Sequence, residues 1–333
     1  MHLARFPRRT YTEGRTPLHP LPRFSAALGG PEIWIKRDDA TGLAGGGNKT
    51  RKLEFLIADA RAQGADLVIT TGAPQSNHAR LTAAAAAVEG LRTRLLIEER
   101  VPGTYAADAV GNALLFDLMD VDRIEVVPAG SDLAAGLEAM ADAARTEGFT
   151  PYVIPGGGST PLGSLGYVAC AEETLQQAFE RGVAFDHVVA ASGSGGTHAG
   201  LVAGLHGATA NLPLTGVSVR AERAAQEAKI HRLASETFAL AGGAGEVPRD
   251  AVVVRDDQVG PGYSLPTEAM GEAVRLLART EAILADPVYT GKALAGLIAM
   301  VREGTWSADD RVLFVHTGGS PALHAYPAQV RAG

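Results

Sequence analysis

Val188-Val189-Ala190-Ala191-Ser192-Gly193-Ser194-Gly195-Gly196-Thr197-His198 is the stretch that decides the fold. Four consecutive apolar residues read as a strand buried on both faces, because a strand with one wet face would alternate. The glycines then end it in a tight turn, and a helix opens at about Thr197. Strand, glycine-rich turn and helix together form the entry of a parallel α/β unit. The pattern repeats in both directions. Further strand candidates are Ile33–Lys36, Leu67–Thr70, Arg94–Ile97, Ile124–Val127, Tyr152–Ile154, Leu214–Val219, Val252–Val254 and Val312–Val315. Helical spacing of apolar residues fills the intervals, for instance over Thr50–Ala62, Ala79–Val88, Asp132–Arg145, Leu162–Phe179 and Lys292–Arg302.

The length of 333 residues suits about two domains. With 30 Lys+Arg against 37 Asp+Glu the net charge is −7, and no basic tract is present to neutralise nucleic-acid phosphates. Behind the arginines of residues 1–9 there is no apolar run, so a secretory signal is not expected. The longest stretch free of acidic and basic residues, His187–Val219, contains seven glycines and Pro213, and reads as strand, loop and helix rather than a membrane span. The single cysteine, Cys170, excludes an intrachain disulfide and a cysteine-cluster zinc site. It sits in a helical pattern and reads as a core thiol. No partner ligand lies three or four residues from His78 or His198, so no metal is expected. A small-molecule protein of the reducing cytoplasm is the expectation.

Open parallel sheets bind ligands at the carboxyl ends of their strands, and four glycine clusters fall at such places: Gly45–Gly47 before Asn48-Lys49, Gly156–Gly158 before Ser159, the loop Ser192–Thr197, and Gly318-Gly319 after His316-Thr317. The loop at 192–197, with its N–H groups at a helix start, suits a phosphate. It fits neither the dinucleotide fingerprint, because His198 stands at the sixth position, nor a Walker A loop, because no lysine follows. A plain tight turn is the alternative reading.

Only five lysines are present against 25 arginines, and only a lysine can form a Schiff base. Lys36 and Lys229 lie among charges, and Lys52 between Arg51 and Leu53-Glu54 reads as solvated. Lys49 differs. It follows glycines at the start of a helix, where the dipole disfavours a cation and lowers the pKa. Lys292, after Tyr289-Thr290-Gly291, has a weaker version of that setting. The polar turn Gln75-Ser76-Asn77-His78 opens an alanine-rich helix; it suits a substrate carboxylate as well as simple capping. A lysine, a phosphate loop and a carboxylate site together suit pyridoxal phosphate holding an amino acid.

At these residues the chain resembles the pyridoxal-phosphate enzymes of the tryptophan-synthase-β fold (fold type II). Within them it resembles the group of D-cysteine desulfhydrase, L-cysteate sulfo-lyase and 1-aminocyclopropane-1-carboxylate deaminase. The resemblance runs through Ile35–Asp39, Gly46–Glu54, Gln75–His78, residues 192–200, Asp286–Lys292 and His316–Gly319. It implies two open twisted parallel-sheet domains with helices on both faces: a smaller one over 50–157, and a larger cofactor-binding one over 1–49 and 158–333.

The resemblance also implies roles. Lys49 would hold the cofactor aldehyde and shuttle the Cα proton. Asn77 would bond the cofactor's phenolic oxygen, and Ser194, Gly195, Gly196 and Thr197 would hold its phosphate. Ser76, with Asn77 and His78, would receive the substrate carboxylate. Tyr263 and Tyr289 would be acid/base or positioning groups. Thr290 or Thr317, beside Gly318, would meet the pyridine nitrogen. A hydroxyl there suits elimination of a good leaving group, whereas the deaminase pattern carries an acidic residue after the tyrosine. The expected activity is carbon–sulfur lyase chemistry on a cysteine-like amino acid, giving pyruvate, ammonia and sulfide. The alternatives are sulfite release from L-cysteate, in which Arg80, Arg220 or Arg223 would meet the sulfonate, and then deamination of the cyclopropane amino acid. A non-enzymatic phospho-ligand binder and a nicotinamide dehydrogenase are the readings from other classes. A homodimer is what the resemblance implies for assembly.

Overall fold

The computed structural model describes residues 1–101, 103–105 and 110–331. Among them are ten strands: β1 (Leu18–Pro20), β2 (Glu32–Arg37), β3 (Leu67–Gly72), β4 (Arg92–Glu99), β5 (Arg123–Pro128), β6 (Pro151–Ile154), β7 (His187–Ser192), β8 (Leu214–Ser218), β9 (Val253–Arg255) and β10 (Arg311–His316). They form two sheets, one six-stranded in the order β1-β2-β10-β7-β8-β9 and one four-stranded in the order β5-β4-β3-β6. Every pairing is parallel except β1 with β2. All nine strand candidates of the sequence lie on strands. The short antiparallel edge β1, with Pro20 at its end, was not expected. Proline lacks the donor a ladder needs, so such a strand belongs at an edge.

The helices among the described residues are α1 (Pro22–Leu28), α2 (Lys49–Ala62), α3 (Asn77–Val88), α4 (Asn112–Leu118), α5 (Leu133–Thr146), α6 (Pro161–Arg181), α7 (Gly196–Gly207), α8 (Arg223–Leu240), α9 (Glu268–Glu281), α10 (Thr290–Arg302) and α11 (Pro327–Arg331). They cover both faces of the larger sheet. Val188 and Ala190 pack with α6, α7 and α8, while Val189 and Ala191 pack with α9 and α10. This division explains why β7 is apolar throughout: successive side chains point to opposite faces, and both faces are core. On the smaller sheet, Val68 and Ile154 pack against α2 and α3, and Leu67, Ile69 and Leu96 against α5.

The chain leaves the larger sheet after β2, builds the smaller sheet with β3–β6, and returns through α6. No helix is long and apolar enough to cross a membrane among the described residues. The carboxyl ends of β3, β4, β6, β7 and β8 open toward one cleft.

Candidate active site

That cleft has a volume of about 680 Å³ and is lined by Lys49, Ser76, His78, Ser194, Tyr263 and Tyr289, among others. A small cavity of about 20 Å³ adjoins it and brings together Lys49, Asn77, Ser194, Gly195, Thr197 and Thr317. Lys49, His78, Ser194 and Tyr289 line both. Residues from five loops far apart in sequence therefore meet at one lysine.

Lys49 is the first residue of α2 and is buried. Its Nζ donates to its neighbour Asn48 Oδ1 at 3.1 Å, and no carboxylate lies in salt-bridge contact with it among the described residues. Its pKa is lowered to about 8, chiefly by burial, which Asp286 opposes and Arg80 reinforces. Asn48 Nδ2 donates to Thr197 Oγ1 at 2.7 Å and so ties the lysine loop to the glycine loop.

The glycine loop bends as its composition demands. Gly195 holds φ +110°, in the left-handed region that favours glycine. At Gly196 a Cβ would stand 2.8 Å from Lys52 Nζ and 3.0 Å from Ser159 Oγ. Ser159, named in the sequence only as the end of the Gly156–Gly158 cluster, fastens this loop. It accepts from Gly196 N at 3.0 Å and donates to Ser194 Oγ at 2.9 Å.

The loop has its lysine after all. Lys52 is not solvated but buried, with Nζ donating to the Gly157 carbonyl at 3.1 Å. One turn along α2 from Lys49, it reaches the loop across space rather than along the chain, so no sequential motif shows it. Burial, then Lys49 and Lys229, push its pKa well below the usual lysine range. Lysine amines without a contacting carboxylate, beside a glycine cradle at a helix start, suit an anion such as a phosphate.

Ser76 caps α3, its Oγ accepting from Ala79 N at 3.1 Å, which leaves its proton for a ligand. His78 is buried, with Nε2 within 2.8 Å of Thr70 Oγ1 and Nδ1 without a partner. Burial, then Lys49 and Lys52, hold its pKa well below the usual imidazole value, so it is neutral. Tyr263 and Tyr289 touch through their hydroxyls, with rings edge-on at 5.8 Å. The Lys49 amine stands 5.8 Å from the Tyr289 ring centre. Burial and the Tyr263 contact raise the Tyr289 pKa well above that of a free phenol. Arg100 and Arg220 lie 4.3 Å and 5.7 Å from the centre of the Tyr263 ring.

Several expectations change in the folded chain. Thr290 does not line either cavity; its Oγ1 donates to Asp286 Oδ1 at 2.7 Å. Thr317 does line the small one. Gly318 packs against Gly47, where a Cβ would meet the Gly47 Cα at 2.6 Å, and serves loop contact rather than the cavity wall. Lys292 donates to the carbonyls of Val259 and Gly262 at 2.7 and 2.9 Å, anchoring the loop that carries Tyr263. Of the three arginines weighed for a sulfonate, only Arg220 lines the cleft. Arg223 pairs with Glu227 at 2.9 Å, and Arg80 is wholly buried beneath Asn77. Lys36 is wholly buried and paired with Glu173. Cys170 is a core thiol, its pKa pushed up to about 12 by burial.

A lysine, a phosphate cradle and a carboxylate pocket on this two-sheet fold define a pyridoxal-phosphate enzyme, and the family comparison agrees. The family model described as "Pyridoxal-phosphate dependent enzyme" matches residues 9–318, and the chain belongs to that family. The enzyme class therefore replaces the phospho-ligand binder and dehydrogenase readings. Among curated relatives, D-cysteine desulfhydrase of Salmonella typhimurium is 48% identical over 331 residues, 99% of each chain. The protein of the same name from Salmonella typhi matches equally. A crystal structure of a homologue of 1-aminocyclopropane-1-carboxylate deaminase superposes with TM-score 0.89 at 37% identity, over 99% of this chain and 97% of the other. O-ureido-L-serine synthase, at 20% identity and TM-score 0.67, shares the fold.

The residues fit the cofactor: a buried amine of lowered pKa for the aldehyde, and a glycine cradle with Lys52 for the phosphate.

Proposed function

We propose that the chain eliminates sulfide from D-cysteine, yielding pyruvate and ammonia. The full-length identity of 48% to D-cysteine desulfhydrase supports the substrate. The observation that carries the chemistry is the buried Lys49 amine, set between the two cavities with its pKa near 8.

Pyridoxal phosphate, when bound, supplies an electron-withdrawing ring that stabilises charge at the substrate Cα. Lys49 would hold the aldehyde carbon, and its Nζ would be the base for the substrate Cα proton. A pKa near 8 keeps part of that amine neutral at neutral pH. Ser76 Oγ and the N–H groups opening α3 receive the substrate carboxylate. The neutral His78 packs behind them. Asn77 Nδ2 would donate to the cofactor's phenolic oxygen. Ser194, Gly195, Gly196 and Thr197 would hold the phosphate, with Lys52 as the cation. The Thr317 hydroxyl would be the partner of the pyridine nitrogen, since that of Thr290 is committed to Asp286. Tyr289 keeps its proton at neutral pH and, through its contact with Tyr263, delivers it to the departing sulfur.

A second substrate, L-cysteate with sulfite as leaving group, is favoured by Arg220 and Lys229 on the cleft wall. The division at 50–157, a homodimer and a cytoplasmic site complete the proposal, on the strength of the family resemblance.

The test is a visible spectrum of the purified protein, then addition of D-cysteine, L-cysteate and 1-aminocyclopropane-1-carboxylate in turn. A band that shifts with D-cysteine, with sulfide and pyruvate released, supports the reading. Turnover of another of the three, and not of D-cysteine, overturns the substrate.

A further inference from the structure

We propose that Arg80 is a positioning residue of the cofactor site: with Asn112 it fixes the Asn77 amide so that its NH2 group faces the cavity beside Lys49, and it sets a buried positive charge behind that cavity. This rests on the pyridoxal-phosphate reading of the cavity and on no choice of substrate.

Arg80 lies on α3 and is wholly buried. Its Nη1 donates to Asn112 Oδ1 at 2.8 Å and to Asn77 Oδ1 at 3.3 Å, and its Nη2 to the Gly46 carbonyl at 2.5 Å. Its Nε has no partner. The buried arginines Arg51 and Arg94 each sit against carboxylates. Among the described residues Arg80 has none within 4 Å. A buried guanidinium without a counter-ion is costly, and one retained at a ligand cavity points to a use there.

Asn77 shows that use. Its Oδ1 accepts from both Arg80 Nη1 and Asn112 Nδ2, the latter at 2.9 Å. Two donors at one atom identify it as the oxygen, because an amide nitrogen would oppose both. The NH2 end is therefore the end presented to the small cavity, which Asn77 lines with Lys49. Asn112 is held in turn by Gln75, whose Oε1 accepts from Asn112 N at 2.8 Å and whose carbonyl accepts from Nδ2 at 2.9 Å.

The same cation acts on Lys49. The charged and titratable groups facing Lys49 are Arg80 and His78 from α3, Lys52 from α2, and Asp286 and Tyr289 from the segment that opens α10. His78 is neutral and Asp286 favours the charged amine, so Arg80 is the charge that opposes it. Burial brings the Arg80 pKa down only to about 10, which leaves it charged at neutral pH.

The experiment uses the full chain stripped of cofactor. One readout is the pH dependence of the rate at which added pyridoxal phosphate develops its visible band, which reports the neutral amine. The other is the affinity for pyridoxine 5′-phosphate, which has no aldehyde and reports the cavity alone. For Arg80→Met the apparent pKa of band formation is expected to rise by about 0.5–1 unit, and the analogue to bind about tenfold more weakly. Asn112→Ala is expected to leave the pKa unchanged while weakening the analogue. An Arg80→Met chain with an unchanged pKa and an affinity within twofold of the parent overturns the proposal. If that variant fails to fold, Arg80→Lys decides, being expected to keep the pKa yet lose affinity; unchanged affinity in both it and Asn112→Ala overturns the proposal. A parent chain that forms no band refutes the cofactor site itself. A parent that forms the band but eliminates from no amino acid refutes only the substrate reading.

Discussion

Replacing Asp38 by asparagine tests what holds Lys49 in place. Asp38 is wholly buried and accepts four short hydrogen bonds: from Arg51 Nε at 2.7 Å and Nη2 at 2.9 Å, from Thr16 Oγ1 at 2.8 Å, and from Tyr167 OH at 2.7 Å. Arg51 follows Lys49 by two residues on α2, so this pair fixes the turn that carries the Lys49 amine. Burial alone would raise the Asp38 pKa, but Arg51, Lys36 and Tyr167 together bring it from 3.8 to about 2. That depression corresponds to about 2 kcal/mol of stabilisation. Asparagine removes the charge, and its NH2 group would face two donors, Arg51 Nε and Tyr167 OH. Breaking one side of a buried pair costs about 3–5 kcal/mol, so a loss within that range is expected. The assay is denaturant unfolding of both proteins at several pH values. Because the folded pKa is depressed, the contribution of Asp38 is complete above about pH 4 and fades as pH falls toward 2. The gap between the two proteins is therefore full at pH 7 and narrows in acid. A loss under about 1 kcal/mol at pH 7, or a gap that stays constant down to pH 3, would refute the reasoning. Weaker cofactor uptake should accompany the loss, read from the visible band.

Lys49→Ala is expected to lose the lysine-linked visible band and all elimination activity, while the parent's activity rises with pH through about 8 as the amine loses its proton; spectra and sulfide release check both. Lys52→Met removes the cation beside the cradle and is expected to weaken retention of pyridoxal phosphate by about tenfold or more, measured by dialysis against buffer. Thr317→Val is expected to shift the band of the bound cofactor and slow elimination, whereas Thr290→Val, which strips a bond from Asp286, should show itself mainly as lost thermal stability. Gly200→Ala puts a Cβ 2.3 Å from the Ser164 carbonyl and 2.5 Å from Tyr167 Cβ where α6 and α7 meet, and should cost about 1–3 kcal/mol in unfolding.

Several features were legible from residue order alone. The apolar run Val188–Ala191 requires a strand covered on both faces, and the glycines after it require a turn whose backbone an L side chain would strain. Lys49 stood out because it is one of five lysines and opens a helix behind three glycines. These are local constraints, set by backbone sterics and by the period of the apolar residues, so the sequence carries them without help. Other features were decided only by tertiary structure. Lys52 looked solvated beside Arg51 and Glu54, but α2 packs against α3 and α6 and buries that face, which places its amine at a loop more than 100 residues away. Arg80 was a candidate to meet a substrate sulfonate, but its helix turns it inward beneath Asn77. Thr290 and Thr317 could not be told apart in the sequence. Asp286 takes the hydroxyl of Thr290, and the carboxyl end of β10 brings Thr317 to the cavity. Burial and pairing depend on which elements pack together, and that depends on contacts between residues distant in the chain, which no local pattern encodes.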